Sequence, residues 1–506
     1  MAVTSFAALT IGAAGITMRI YEMNKKIGIR QIDELTHMMH CGQEIYTEGR
    51  LSFESSDEIC SVLLDFQLKI QEYGVDNVQV FIANSLTDAF NLDFLVTQIR
   101  IKTGMKAKIL NNSKDHYLTL QSIAARMQEF NELIKTGTLI LDVDYGNIQM
   151  TLYDHSELIS TQSIPLGVAR IREMVSGLEV KQGDYVRLIS EAIQSDLNEF
   201  QDKILKDRKI KNFIVVGGEM EYLNHYVHKD DIAIYSREDM ERLHESLLKG
   251  EYGQEIDEAH VRLLIPLFVV VKGFMKMTEA KNIYAPNVHL CDGMACDFGY
   301  KKLKIFSGHH FTEDRISTAI HLAKRFGCDM THNLYVRDMA KILFKAVAKP
   351  FGLSNKDQQV LELATIMHNC GRFVNLHYED DLSYMIVKES EFINLSDINR
   401  ILVANVLRYK NADFPHQRDL NEPLVSQDFY VILARMTALF RLAEALDDCH
   451  LQKFSDVKVM IKNDEFVVRA TTKQEAIIEI KAFEASAHLF QEVFGLKPVF
   501  KCKRKV

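Results

Sequence analysis

Acidic residues beside glycine turns are the first candidates for chemistry in this chain. Asp142 precedes Gly146 in LILDVDYGNIQM, Leu139 to Met150. A carboxylate at such a turn can hold a hard cation such as Mg2+ while bare backbone N–H groups face an anion. The same pattern is also ordinary hairpin chemistry, because Asp readily bonds its own turn. Gly217 and Gly218 follow the β-branched run NFIVV. They either present amides to an anion or end a strand. Asp115 stands between Lys114 and His116 in a polar stretch, as a water-activating carboxylate or as a solvated loop residue. His332 and His368 are imidazoles of the kind that bind metal, but Asn369 follows His368 where a charged ligand would be useful. Read alone, they are core or surface histidines. Asp447 and His450 can share a helix face, and a helix C-terminal pairing is the simpler account of them.

The elements that must position these residues alternate in type. FAALTIGAAGITMRIYEM reads as strand material around a turn at Gly12 to Gly15, followed by a helix from Ser55 to Gln71, the strand VQVFIA near Val78, and a helix from Asp88 to Lys102. A second cycle opens at TLILDVDYGNIQMTLYD, continues through a helix from Gln182 to Leu205, and reaches NFIVVGG at Asn212 to Gly218. Strand and helix alternation of this kind predicts α/β architecture, and two glycine-punctuated hairpins predict a duplication. Helical periodicity dominates from His309 to His450. Beyond it, VKVMIKNDEFVVRATT predicts a hairpin turning at Asn463 and Asp464, IIEIKA a third strand, and Glu484 to Phe494 a helix.

A chain of 506 residues exceeds what one hydrophobic core supports. Its 47% hydrophobic and 25% charged residues are ordinary for a folded globular protein. The longest apolar run, Leu263 to Val271, contains Pro266 and reads as a buried helix rather than a membrane span. The N-terminus lacks the basic region of a signal peptide. The eight cysteines form neither a CxxC pair nor a disulfide framework, so a reducing cytoplasm is expected. A net charge of −9 gives no global field for nucleic acid.

The ordered landmarks IYTEGRLS (Ile45 to Ser52), IANSLTDAFN (Ile82 to Asn91), LILDVDYGNIQM, SIPLGVAR (Ser163 to Arg170), VVGGE (Val215 to Glu219) and RLAEALDDCH (Arg441 to His450) resemble the exopolyphosphatase and guanosine pentaphosphate phosphohydrolase (Ppx/GppA) family over nearly the whole chain. The resemblance implies actin-like (ribonuclease H-like) tandem α/β domains at 1–125 and 126–303, a helical domain similar to HD-type phosphohydrolases at 304–455, and a small α+β domain at 456–506. It implies a cytoplasmic homodimer acting on polyphosphate or a phosphorylated guanosine nucleotide, with no nucleic acid and no membrane involved. Mg2+, or alternatively Mn2+, is the implied cofactor.

Residue by residue, Asp115 best matches the family's water-activating Glu, and Asp142 its metal holder. Gly12, Ser85, Gly146, Gly217 and Gly218 match its phosphate- or nucleotide-binding positions. The departures are as informative. Thr10 and Thr17 stand where the first turn carries an Asp and an Arg; Tyr145 and Asp144 replace glycines of the second turn; Gln149 replaces its Glu; and the Arg near Ser85 is missing. Neighbouring lysines do not restore bidentate phosphate recognition. Three functions follow as expectations: a weak or altered phosphoanhydride hydrolase, an inactive sensor of polyphosphate or a phosphorylated nucleotide, and a structural scaffold.

Overall fold

The computed structural model describes residues 3–504, apart from 40, 176–181, 207, 228–231, 253–255, 257, 307, 421 and 423–425. The chain divides into two compact units, Met1–Asp314 and Arg315–Val506.

The first unit contains two sheets. One is built from β1 (Thr4–Gly12), β2 (Gly15–Asn24), β3 (Gly28–Met38), β4 (Asn77–Ile82) and β5 (Ala107–Ile109), in the order β3-β2-β1-β4-β5. The first three strands form an antiparallel meander, and β4 and β5 continue parallel to β1. The other comprises β6 (Thr138–Val143), β7 (Ile148–Asp154), β8 (Glu157–Ile164), β9 (Asn212–Val216), β10 (Ile232–Ser236) and β11 (Asn282–Pro286), ordered β10-β11-β9-β6-β7-β8. Its β8-β7-β6-β9-β11 portion repeats the order and directions of the first sheet, and β10 adds an antiparallel edge. The duplication expected from two glycine-punctuated hairpins is present.

Sequence accounts for this layout. Central β1 is apolar on both faces, with Phe6, Ala7, Ala8 and Leu9 fully buried, as a covered strand requires. Edge strand β3 is largely exposed. The helix Phe53–Glu72 starts at Ser52, whose hydroxyl accepts the Ser55 N–H, and it buries Ile59, Leu63, Phe66 and Ile70 against the sheet. The run around Pro266 lies in the helix Glu258–Met275 within the second sheet's core, so it is the buried helix expected. The helix Leu290–Leu303 packs on β1, β2 and the helix Asn112–Arg126. A Cβ at Gly293 would strike the Leu118 carbonyl, so glycine sets that approach.

In the second unit the helices Met330–Ala348, Asn355–Met367, Glu379–Lys388, Asp397–Arg408 and Gln427–Ala445 surround a core that runs on into a three-stranded sheet. That sheet is β12 (Phe454–Lys462), β13 (Glu465–Thr472) and β14 (Lys497–Arg504), with β14 parallel to β13. Helices and sheet therefore share one core across position 455. The β12–β13 turn is at Asn463 and Asp464 as expected, both with positive φ, the requirement of a two-residue hairpin turn. IIEIKA is not a strand. It opens the helix Ile477–Ala485, where Glu479 and Phe483, four residues apart, share the buried face while Ile477 and Ile478 stay exposed. The third strand is the basic terminal segment instead. Among the described residues, no helix is long and apolar enough to cross a membrane.

Candidate active-site cleft

A cavity of about 200 Å3 in the first unit draws its walls from both sheets. Gly12, Ser85, Asp115, Asp142, Gly217 and Gly218 all line it, with Thr10, Thr17, Asp144, Tyr145 and Glu221. Gly146 does not. It turns toward Tyr46, whose hydroxyl occupies the place of a Cβ, so this glycine serves packing between the second turn and the helix Cys41–Glu48.

Asp115 is not on a solvated loop. It lies in the first turn of the helix Asn112–Arg126, which Asn111 caps by accepting the Lys114 N–H at 2.9 Å. Its Oδ2 accepts the Asn84 N–H at 2.7 Å. Burial pushes its carboxyl up to about 7, with nearby Asp144 adding to the rise and the Asn84 bond opposing it. Asp142, at the end of β6, is pushed up to about 8 by burial and by Asp144 and Asp115, with a Thr119 bond pulling the other way. Asp144 is raised by burial as well, against a 2.8 Å bond from the Tyr145 N–H. Three partly buried carboxylates thus crowd one cavity, each made harder to ionise by burial and two of them further by their neighbours.

No Lys or Arg lines this cavity among the described residues, and burial holds His289 down to about 4, hence neutral. Arg19, on the same face of β2 as Thr17, lines an adjoining cavity instead. It is committed there to Asp292 at 2.7 Å, Glu34 at 3.1 Å and Glu221 at 3.6 Å. The described lining of the cleft therefore carries acids and no Lys or Arg.

The two turns hold their backbones differently. In the first, Ser85 Oγ accepts the Ala13 N–H at 3.1 Å, so this serine braces the turn and occupies one of its amides. In the second, the Val168 and Ala169 N–H groups bond the Asp144 and Tyr145 carbonyls at 3.0 and 3.1 Å. The Tyr145 hydroxyl donates to buried Glu219 at 2.9 Å, and its ring lines the cavity beside Gly218. Gly217 has φ 128°, and a Cβ there would run into the Val143 carbonyl.

Sequence reasoning missed Asp144 and Glu221 as cleft acids. Asp144 is two residues past Asp142 at a strand end, a spacing that returns a side chain to the same face. Glu221 opens the helix Gly218–Tyr226 just beyond the glycine pair, and burial pushes it up to about 7.

The histidines His332 and His368 are outside the cleft, in the second unit, and their acidic partners are not absent. His332 Nδ1 is 2.8 Å from Asp447 Oδ2, and His368 Nε2 is 3.8 Å from Glu444 Oε1. Asp447 does not pair with the His450 side chain: it holds His332, while the His450 ring stacks on that of His332. Asn369 bonds Asn333.

Comparison with known proteins converges on one family. The Ppx/GppA phosphatase family model matches residues 20–262, and the model for domain III of the Ppx/GppA phosphatases matches 315–479. The chain resembles the crystal structure of the Aquifex aeolicus Ppx/GppA family member, at 12% identity and a TM-score of 0.50, over 60% of this chain and 99% of that one. It also resembles an exopolyphosphatase from Cytophaga hutchinsonii, at 13% identity and a TM-score of 0.53, over 60% of this chain and all of that one. A curated relative, the bifunctional 3-dehydroquinate synthase/phosphatase of Fusobacterium nucleatum, is 20% identical over 173 residues, 33% of this chain, and the match spans 26% of that protein's length. Two family models that together span the second glycine turn, Asp115, Gly217, Gly218 and the helical unit, on a duplicated fold shared with solved members, settle the assignment: the chain belongs to the Ppx/GppA phosphatase family.

Proposed function

We propose that the cleft hydrolyses phosphoanhydride bonds of polyphosphate or guanosine pentaphosphate, slowly, and only with a divalent cation. The observation that carries this reading is the convergence of Asp115, Asp142 and Asp144 in one cavity whose described lining has no Lys or Arg. Family members of this kind use Mg2+ or Mn2+, and an all-oxygen set of carboxylates deterred from ionising by burial fits a hard cation. Asp142 and Asp144 would hold it. When bound, it supplies charge neutralisation for the phosphate oxygens.

The chain's own residues then have distinct parts. Asp115, fixed by the Asn84 N–H, orients the attacking water and takes its proton. An Asp reaches one methylene less far than the family's Glu, and a misplacement of about 1 Å can cost about 100-fold in rate. Amides of the first turn and of Gly217 and Gly218 face the phosphate, without an Arg to clamp it. The test is phosphate release with Mg2+ or Mn2+ from polyphosphate, guanosine pentaphosphate and nucleoside triphosphates. Release that needs the cation and falls in Asp115→Asn supports the reading, and no release from any of them defeats it.

One observation favours a second reading, a sensor that binds such a ligand without turnover: Ser85 already occupies the Ala13 amide, and Tyr145 stands in the cavity wall beside Gly218. Micromolar binding without release identifies it. The helical unit completes the proposal as an HD-like domain whose main work is packing and homodimer contact, in a cytoplasmic protein.

A further inference from the structure

The net charge of −9 is not evenly spread, and the three-stranded sheet of the second unit carries the opposite sign. Its inner face is apolar. Phe466, Val468 and Ala470 of β13 belong to the core of that unit, and Phe500 and Cys502 of β14 pack against it. Side chains alternate along a strand, so Glu465, Val467, Arg469 and Thr471 project from the outer face.

Register decides what stands beside them. Arg469 is paired with Lys458 of β12 on one side and with Lys501 of β14 on the other, Glu465 with Lys462 and Lys497, and Thr471 with Lys503. All six cations are exposed. Two acids accompany them: half-buried Glu465, and Asp456 at the irregularity of β12, which accepts the Thr471 hydroxyl at 3.2 Å. The ion pairs of this part of the chain, Lys453 with Glu479 and Arg504 with Glu475, use none of the six, and among the described residues none of the six is ion-paired.

Cations abreast in a sheet oppose its pairing. Strands lie about 4.8 Å apart, so Lys458, Arg469 and Lys501 repel one another across both ladders with no carboxylate between them. An anion laid across the row relieves this. At about 3.3 Å per residue the six cations cover a flat area of about 10 by 20 Å, which suits an extended array of negative charges better than one small anion. Met460 is the one large apolar side chain exposed on this face, so little is offered for insertion into a lipid surface. Phe454, Phe466 and Phe500 all turn inward, so single-stranded bases find no aromatic platform. A double helix needs none, because it presents its phosphates outward.

We propose that this face binds the phosphate backbone of a nucleic-acid duplex without reading its sequence, with Lys458, Arg469 and Lys501 as central contacts and Lys462, Lys497 and Lys503 as flanks. Neutralised phosphates release their counterions, so the binding is weak and salt-sensitive. It is independent of what the cleft does. The total charge of the chain hides this face, since its cations come from three strands that meet only in the fold.

The test is fluorescence anisotropy of the full chain with a labelled DNA duplex of about 20 base pairs, at salt from about 50 to 200 mM. The expected dissociation constant is about 1–100 µM near physiological salt, equal for unrelated sequences, and log affinity falls against log salt with a slope of about −3 to −5. Arg469→Glu combined with Lys501→Glu lowers affinity more than about 10-fold and reduces the slope by about 2. Circular dichroism checks folding, and if that pair is unstable, Arg469→Gln with Lys501→Gln gives the same reading. The cleft variant Asp142→Asn binds the duplex as wild type does, which places the duplex outside the cleft. No duplex binding at the lowest salt, or affinity unchanged in the double variants, overturns the proposal. Binding confined to phosphatidylserine vesicles or to long polyphosphate overturns it too, and assigns the face to those partners instead.

Discussion

The two hairpin turns of the first unit occupy equivalent places in equivalent sheets, yet they bring different residues to the cavity. The β1–β2 turn keeps the small backbone, with Gly12, Ala13, Ala14 and Gly15 all lining the cavity, but has Thr10 paired with Thr17 where charge would sit. The β6–β7 turn keeps the charge in Asp142 and Asp144, with Asp142 paired to Gln149, but places Tyr145 in the cavity wall. A duplicated topology fixes where a turn lies and not what it carries. Backbone order is set by burying both sheets, while side chains that face the cavity are free to change without cost to either core.

The comparison can be broken most sharply through the base. If the cleft carboxylates drive the chemistry, Asp115→Asn should lower cation-dependent phosphate release about 100- to 10,000-fold while leaving ligand binding within a few-fold, as steady-state rates and a binding titration would show. Asp115→Glu should recover reach and exceed wild type, limited by the missing arginines. Unchanged release in Asp115→Asn would move the chemistry elsewhere. Asp142→Asn should weaken cation dependence about 10-fold or more, read as a shift in the Mg2+ concentration for half-maximal rate.

A third variant asks whether the first turn can be given back what it lacks. Thr10→Asp places another carboxylate in an already crowded cavity, so without cation it should lower the melting temperature, by about 3 °C for each kcal/mol. With saturating Mg2+ the loss should shrink, because the ion binds the ionised form. A loss that is the same with and without Mg2+ would show that the first turn cannot share a cation with the second.

Much of the fold was legible because it rests on periodicity and turns. The buried β1, the helix Phe53–Glu72 and the Asn463–Asp464 turn each announce themselves locally. IIEIKA did not, because a short apolar run suits strand and helix alike and only the packing of Phe483 into the core decides it. In the cleft, Asp115, Asp142, Gly12, Ser85, Gly217 and Gly218 converge as their motifs implied, whereas Gly146 looks the same in sequence and faces Tyr46. The partners of His332 and His368 are hardest to read, since Glu444 and Asp447 are distant in the chain and arrive only when three helices close.

The last expected effect is a pH dependence of stability that the first turn does not share. In an unfolded chain Asp142 ionises near 3.8, but in the folded cleft burial, Asp144 and Asp115 push it up to about 8, and Asp115 up to about 7. Between these values the folded protein holds protons that the unfolded chain has released, so stability must fall as pH rises. The contribution is fully present below about pH 4 and is lost through pH 7 to 8, opposite in sign to that of a salt-bridged carboxylate. Calorimetry on cation-free protein should therefore show a melting temperature that declines from pH 5 to pH 8 more steeply in wild type than in Asp142→Asn, whose amide needs no proton. Mg2+ should flatten the wild-type slope by favouring the ionised carboxylates, while Thr10→Ala leaves the slope as it was. Equal slopes in wild type and Asp142→Asn would mean that the second turn's charge is relieved by solvent rather than by protonation, and the contrast between the turns would then be one of shape alone.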